Sequence, residues 1–193
     1  MCGIIAIVRR RTSRVAPDTK ALAEDLKAAS AQFPEPKAPS LATDLGQVGA
    51  ALEAIDHQLR GEAGLRALIA DSAFVQHVEA VLEELNQKLE KVEGYLEVKG
   101  DEIPGLEEVN GAIVVVKDKL WAIERDRLRA AAEVLQLGGS SLTASEDDSA
   151  RLAALFSMQQ ALSNLDRLEV RGRDSAGLHV FCLLYTSPSP RDS

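Results

Sequence analysis

The stretch Leu106-Glu-Glu-Val-Asn-Gly-Ala-Ile-Val-Val-Val-Lys-Asp-Lys-Leu-Trp-Ala-Ile123 decides the fold of the middle of this chain. Its apolar residues recur at alternating spacings of three and four, at Leu106, Val109, Ile113, Val116, Leu120 and Ile123. That period is typical of one face of an α-helix. The pattern continues less cleanly to Val134 and Leu137, and Gly138-Gly139 ends it. A sustained repeat of this kind predicts antiparallel helix pairs or a short coiled coil.

The rest of residues 12–150 is also predicted to be helical. Pro17-Asp18 suits the start of a helix that runs to about Gln32, and three prolines before Ser40 interrupt it. Ser40 and Ser72 are candidate caps for two further helices. Their apolar stripes are Leu41, Leu45, Val48, Leu52, Ile55 and Leu59, and then Val78, Leu82, Leu85, Leu89, Val92 and Leu96. Gly61 and Gly64 are expected to loosen the end of the helix that Ser40 precedes. A last helix is predicted from Ala144 to Leu168, with acids in its first turn.

Composition excludes several classes of function. The chain has 193 residues, of which 46% are hydrophobic and 4% aromatic, and its net charge is −8. No net positive field draws phosphate in, so neither nucleic acid nor a membrane surface is expected as a partner. No stretch approaches the roughly 18–20 apolar residues of a membrane span. Two cysteines without a secretion signal predict a cytoplasmic protein. His57 and His77 lack neighbours at ligand spacing, so no metal site is expected.

Residues 182–193 differ in character from the rest of the chain. They read Cys182-Leu-Leu-Tyr-Thr-Ser-Pro-Ser-Pro-Arg-Asp192, then Ser193. The string resembles one reading frame of a transposase sequencing adapter, and we interpret it as a non-native tail outside the fold. On this interpretation the natural sequence is cut at Phe181 and more protein follows.

The first chemical motif is Met1-Cys2-Gly3, followed by the apolar run from Ile4 to Val8. Removal of Met1 would leave Cys2 with both a thiol and a free α-amine. An α-amine has a pKa of about 7.7–8.0, so its neutral form can take the thiol proton directly or through one water. Gly3 leaves room for a substrate, and the apolar run suits a buried strand. The alternative is a strand that happens to follow a cysteine.

The second motif is Leu168-Glu-Val-Arg-Gly-Arg-Asp-Ser-Ala-Gly177. Together with Cys2-Gly3-Ile4 it resembles the glutaminase domain of class II (N-terminal nucleophile) glutamine amidotransferases. Leu168-Glu169 before Arg171-Gly172 makes it most similar to the glutamine–fructose-6-phosphate aminotransferases (isomerizing). The resemblance covers about residues 2–11 and 158–181.

The resemblance implies an α+β fold, a partial glutaminase core interrupted by a helical insertion. Residues 1–11 would form its first strand, residues 12–150 the insertion, and residues 151–181 a helix, a turn and a second strand. Cys2 would attack the amide carbon of glutamine and release ammonia through a thioester. No cofactor is implied. The turn that supports Cys2 and the substrate would contain Arg171, Gly172, Asp174, Ser175 and Gly177.

The resemblance also implies an ammonia acceptor, a sugar phosphate. Fructose 6-phosphate would become glucosamine 6-phosphate on C-terminal domains beyond Phe181, in a homo-oligomer. The oxyanion hole would also lie beyond Phe181, so the fragment alone is expected to be inactive. Two alternatives stay open. One is another ammonia acceptor, as in amidophosphoribosyltransferases; the other is a helical interaction protein whose Cys2 has no chemistry.

Overall fold

The structure, a computed structural model, describes residues 6–8, 13–99, 103 and 105–168. These residues form seven α-helices and one π-helical segment. The helices are α1 (Thr19–Ala31), α2 (Leu41–Leu59), α3 (Gly61–Ala70), α4 (Ser72–Lys99), α5 (Leu106–Trp121), α6 (Arg129–Gly138) and α7 (Ser149–Leu168), with the π segment (Ala122–Leu128) between α5 and α6.

The expected α+β fold is wrong, because the described residues are all-helical and none of them lies in a strand. Of the first predicted strand, residues 6–8 are described, and they have no regular secondary structure. A strand needs a neighbour to satisfy its backbone groups, and the described chain offers none. The second predicted strand lies outside the described residues.

The predicted apolar stripes form the core of the helical part. Every stripe residue of α2 and α4 is buried, as are Val109, Ile113, Val116, Leu120 and Ile123. Leu106 is partly buried at the edge of this core. Burying these side chains supplies the main stabilisation of the fold, roughly 1.5–3 kcal/mol for each large one.

The helices are not all antiparallel as predicted. In the most extensive contact, α2 and α5 run parallel, since Glu53 pairs with Lys119 and, four positions earlier in each helix, Gly49 lies against Val115. The hairpin of α4 and α5 is antiparallel, and so is that of α6 and α7. The short helix α3 explains why successive long helices are not all paired antiparallel. It carries the chain away from α2, so α4 packs beside α1 and not beside α2.

The π segment shifts the phase of the buried stripe. The backbone N–H of Arg129 donates to the carbonyl of Glu124, five residues earlier, as in a π-helix. The buried positions accordingly step by five, from Ile123 to Leu128. Beyond this shift Val134 is buried as predicted, whereas Leu137 is 47% exposed, so the predicted stripe is wrong at that position.

Side chains that accept hydrogen bonds from the free backbone N–H groups of a first turn determine where α1 and α4 begin. Asp18 caps α1 by accepting from the backbone N–H of Lys20, which confirms the predicted start. Asp71, not Ser72, caps α4, because its carboxylate accepts from the Phe74 N–H at 2.9 Å. Ser40 directly precedes α2, but its hydroxyl donates to the side chain of Asp44.

The last helix begins at Ser149 and not at Ala144. Asp148 accepts hydrogen bonds from both the backbone N–H and the hydroxyl of Thr143, at 2.8 and 2.6 Å. These bonds stabilise a turn over the residues that the sequence assigns to the first turn of the helix.

A tight corner joins α2 and α3. Arg60 is extended, and Gly61 has φ +73°, a left-handed conformation that suits glycine. A Cβ on Gly64 would lie 2.0 Å from the carbonyl oxygen of Leu59. The two glycines that were expected only to loosen α2 therefore permit a new helix to pack on its last turn.

Candidate functional site

The predicted site residues lie outside the described part of the chain. These residues are Cys2, Arg171, Gly172, Asp174, Ser175 and Gly177. Between the two motifs the structure describes most of residues 13–168, which are called the helical body below. The position of its two ends decides whether the motifs can belong to one site.

Arg14 fixes the N-terminal end of the helical body. Its guanidinium donates to the carbonyl oxygens of His57, Gln58 and Arg60, at 3.2, 3.2 and 3.1 Å. These carbonyls belong to the end of α2, where the last turn lacks intrahelical partners and the helix dipole is negative. A guanidinium satisfies both needs at once, so the segment before α1 is attached to the end of α2. We call this contact the Arg14 clamp.

A buried ion triad lies beside the Arg14 clamp. The carboxylate of Asp56 is fully buried, and it accepts from Arg60 Nε at 2.9 Å and from Arg127 Nε at 2.8 Å. Burial alone would raise the pKa of Asp56, but the hydrogen bonds from Arg127 and Arg60 outweigh it, so the pKa is lowered. The carboxylate is therefore ionised at neutral pH and joins α2 to the π segment.

The C-terminal end of the helical body returns to the same region. Helix α7 runs back along α6, with Gln159 donating to Glu133 at 3.0 Å. The pKa of Arg129 is raised, first by its hydrogen bond to Glu133 and also by the charge of Asp166, near the end of α7. Because α7 runs antiparallel to α6, it ends beside the start of α6, which directly follows the π segment that carries the triad residue Arg127.

A second contact supports this placement of α7. Phe156 of α7 and Leu59, in the last turn of α2, line one small cavity together with Arg127. The Arg14 clamp holds the carbonyls of the same last turn of α2. The N-terminal segment and the first half of α7 thus both lie at the last turn of α2.

The described residues include an open groove. It lies between α4 and α5, has a volume of about 310 Å³, and is lined by Asn86, Lys117, Asp118, Leu120, Trp121 and Glu124. Lys117 pairs with Glu93 beside it. Within the described ranges, no three His, Cys, Asp or Glu side chains are arranged to hold a metal ion. His77 has a buried Nε2 without a hydrogen-bond partner there.

Comparison of the chain with protein-family models, with curated proteins and with solved structures gives no match. None of the helices in the described ranges is both long enough and apolar enough to cross a membrane. A functional argument therefore depends on the two motifs and on where the helical body holds their flanks.

Sequence reasoning missed the Arg14 clamp and the ion triad. Asp56 did carry a signal, because it lies between Ile55 and Leu59 on the buried side of α2 and has Arg60 four residues later. A carboxylate in an apolar stripe needs a cationic partner. Arg127 carried a comparable signal, because it lies four residues after the buried Ile123, on the spacing of the predicted apolar stripe.

Proposed function

We propose that this chain carries the nucleophile of a class II glutamine amidotransferase whose glutaminase domain is interrupted by the helical insertion of residues 12–150. Cys2, exposed as the first residue when Met1 is removed, attacks the side-chain amide carbon of glutamine. The acceptor of the released ammonia is a sugar phosphate, with fructose 6-phosphate as the first candidate. Arg171, Gly172, Asp174, Ser175 and Gly177 form the turn that supports Cys2 and the substrate.

The observation that carries this proposal is the position of the flanks of the two motifs. Cys2 and Arg171 are 169 positions apart in the sequence. The Arg14 clamp nevertheless holds the N-terminal end of the insertion at the end of α2, and α7, which begins where the insertion ends, brings Phe156 to the same turn. A long insertion is compatible with one domain when its two ends lie close together.

The proposed chemistry needs one residue to hold both base and nucleophile. The neutral α-amine of Cys2 takes the thiol proton, and the thiolate forms a C–S bond to the amide carbon. The C–N bond then breaks, and the protonated amine returns its proton to the leaving ammonia. Water hydrolyses the γ-glutamyl thioester, which releases glutamate and restores the thiol.

The first test addresses the terminus of the 193-residue chain. Intact mass should show the loss of Met1. A 2-cyanobenzothiazole reagent should form a stable adduct, because only a terminal cysteine offers an amine and a thiol on one residue. Cys2→Ser should abolish the adduct and Cys182→Ser should retain it. A chain that keeps Met1, or carries an acetyl group on Cys2, would overturn the proposal.

The second test uses the full product of the gene from which this sequence comes. The glutamine analogue 6-diazo-5-oxo-norleucine should alkylate Cys2, and excess glutamine should protect it. Glutamate release should require Cys2 and should increase with fructose 6-phosphate if that sugar is the acceptor. Alkylation by iodoacetamide without any reaction of the analogue would instead favour a helical interaction protein.

A further inference from the structure

We infer that Arg14 is a positioning residue, which holds the N-terminal flank of the helical body at a fixed place relative to the end of α7. Its effect on Cys2 rests on the proposed function, whereas its effect on the two flanks does not. The inference concerns the chain segment that leads to Cys2, since twelve positions separate Cys2 from Arg14.

The geometry of the clamp suits a fixed attachment. Arg14 reaches 43 to 46 positions along the sequence and contacts backbone carbonyls, which substitutions at those positions would leave in place. Both terminal nitrogens of its guanidinium donate, to carbonyls on different residues. Lysine has a single ammonium in place of this planar fork, so it cannot reproduce the arrangement.

The partner surface of Arg14 is itself held in place. Arg60 offers its carbonyl to Arg14 while its side chain binds the buried Asp56, so one residue belongs to both the clamp and the triad. Asp56 in turn binds Arg127, and Arg129, two positions later, meets the charge of Asp166. The clamp and the triad therefore connect the N-terminal flank to the π segment, and the antiparallel pairing of α6 and α7 carries the last turns of α7 to the start of α6, directly after that segment.

Arg14 is exposed and is not one of the buried residues of the core. Its removal should therefore release the N-terminal flank while the helical body stays folded. This separates a positioning role from a general contribution to stability, which would also lower the unfolding temperature of the core.

The first experiment measures the distance between the two flanks. Spin labels are attached through Ser13→Cys and Asn164→Cys, both exposed positions, in a chain that also carries Cys2→Ser and Cys182→Ser. Pulsed electron resonance should give a narrow distance distribution. Arg14→Gln should broaden it and Arg14→Lys should restore it only in part. Arg125→Gln is the matched control, because this half-exposed arginine approaches only Glu124, at 3.8 Å, among the ion pairs.

An Arg14→Gln distribution that superimposes on that of the parent chain would overturn the inference. The helical content of each variant, from circular dichroism, shows that the comparison is made between folded chains.

The second experiment measures the reaction of Cys2 in the full product of the gene. Arg14→Gln should slow alkylation by the glutamine analogue by about tenfold or more, because small displacements of a nucleophile weaken its attack strongly. Its reaction with iodoacetamide should stay the same, and Arg125→Gln should react like the parent.

The two experiments separate the possible failures. Equal analogue rates in Arg14→Gln and the parent would overturn the positioning role while the proposed function stands. A broadened distance distribution together with an unreactive parent would overturn the proposed function and leave the clamp in place.

Discussion

Asp56 of α2 and Arg127 of the π segment form an ion pair in which the carboxylate is fully buried and the guanidinium is 17% exposed. Taking a carboxylate out of water is unfavourable unless hydrogen bonds replace its hydration. Arg60 provides further bonds to the same carboxylate, so the charge is fully paired. The pair links α2 to the π segment, 71 positions later in the sequence, beside the Arg14 clamp.

Asp56→Asn should therefore lower the free energy of unfolding by roughly 2–3 kcal/mol, because two arginines would lose their shared anion in a buried place. Urea denaturation at neutral pH measures this change. Glu53→Gln is the control, since Glu53 also bridges α2 to a cation, Lys119, but is half-exposed. Equal decreases in the free energy of unfolding of both variants would contradict the conclusion that burial makes the Asp56 ion pair more important than the exposed one.

Acid should destabilise the helical body through several carboxylates. The pKa values of Asp56, Asp71, Asp148, Glu84 and Glu133 are all lowered in the folded chain. A group whose folded pKa is depressed contributes stability above its unfolded pKa and loses it as the pH falls through the folded pKa. The ordinary values are 3.8 for Asp and 4.5 for Glu. The free energy of unfolding should thus fall below about pH 4.5.

A urea titration at a series of pH values tests this expectation. Asp56→Asn should show a shallower decline than the parent, because one of the responsible groups is gone. A free energy of unfolding that stays constant down to about pH 3 would contradict the ionised network.

Two glycines should respond to alanine with opposite signs. In Gly64→Ala the new Cβ would lie 2.0 Å from the Leu59 carbonyl oxygen, so the corner between α2 and α3 must open, at about 3 kcal/mol or more. In Gly46→Ala the Cβ meets nothing within 4 Å. This helical change should stabilise by about 0.5–1 kcal/mol, through the lower entropy of the unfolded chain. Thermal denaturation of both variants gives the comparison.

Deletion of one residue distinguishes the π segment from the α-helix before it. Removing the exposed Arg125 should change the five-residue step between Ile123 and Leu128 to four, which an α-helix accepts, so the loss should stay below about 1 kcal/mol. Removing the exposed Asp118 should rotate Leu120 and Ile123 by about 100° away from the core. Cooperative urea unfolding should survive only the first deletion; equal damage by both would contradict the assignment.

The sequence predicted the helices whose apolar positions repeat without interruption. The stripes of α2 and α4 are buried as expected, because burial of one face determines both the presence of a helix and its orientation. The pairing of helices was not predictable in the same way. Whether α4 packs on α2 or on α1 depends on the direction of α3, which is set by the close approach of Gly64 to Leu59.

The candidate site was predicted from motifs alone, and the structure adds the position of their flanks. Asp56 was recognisable as a polar residue within an apolar face. Arg14 was not recognisable, because its partners are backbone carbonyls. Every residue has a backbone carbonyl, so the sequence does not indicate which ones an arginine contacts. The predicted burial of Leu137 was also wrong, because hydrophobic spacing alone does not predict where a π-helical turn occurs.

The parallel neighbours α1 and α4 also determine how the chain folds. Thr19 bonds Asp71 and Ser30 bonds Glu84, so these contacts join residues 52 and 54 positions apart. Such non-local contacts raise the contact order above that of a simple up-and-down bundle and slow folding accordingly. During synthesis α2 can cover part of the apolar face of α1, and the rest must await the emergence of α4 from the ribosome.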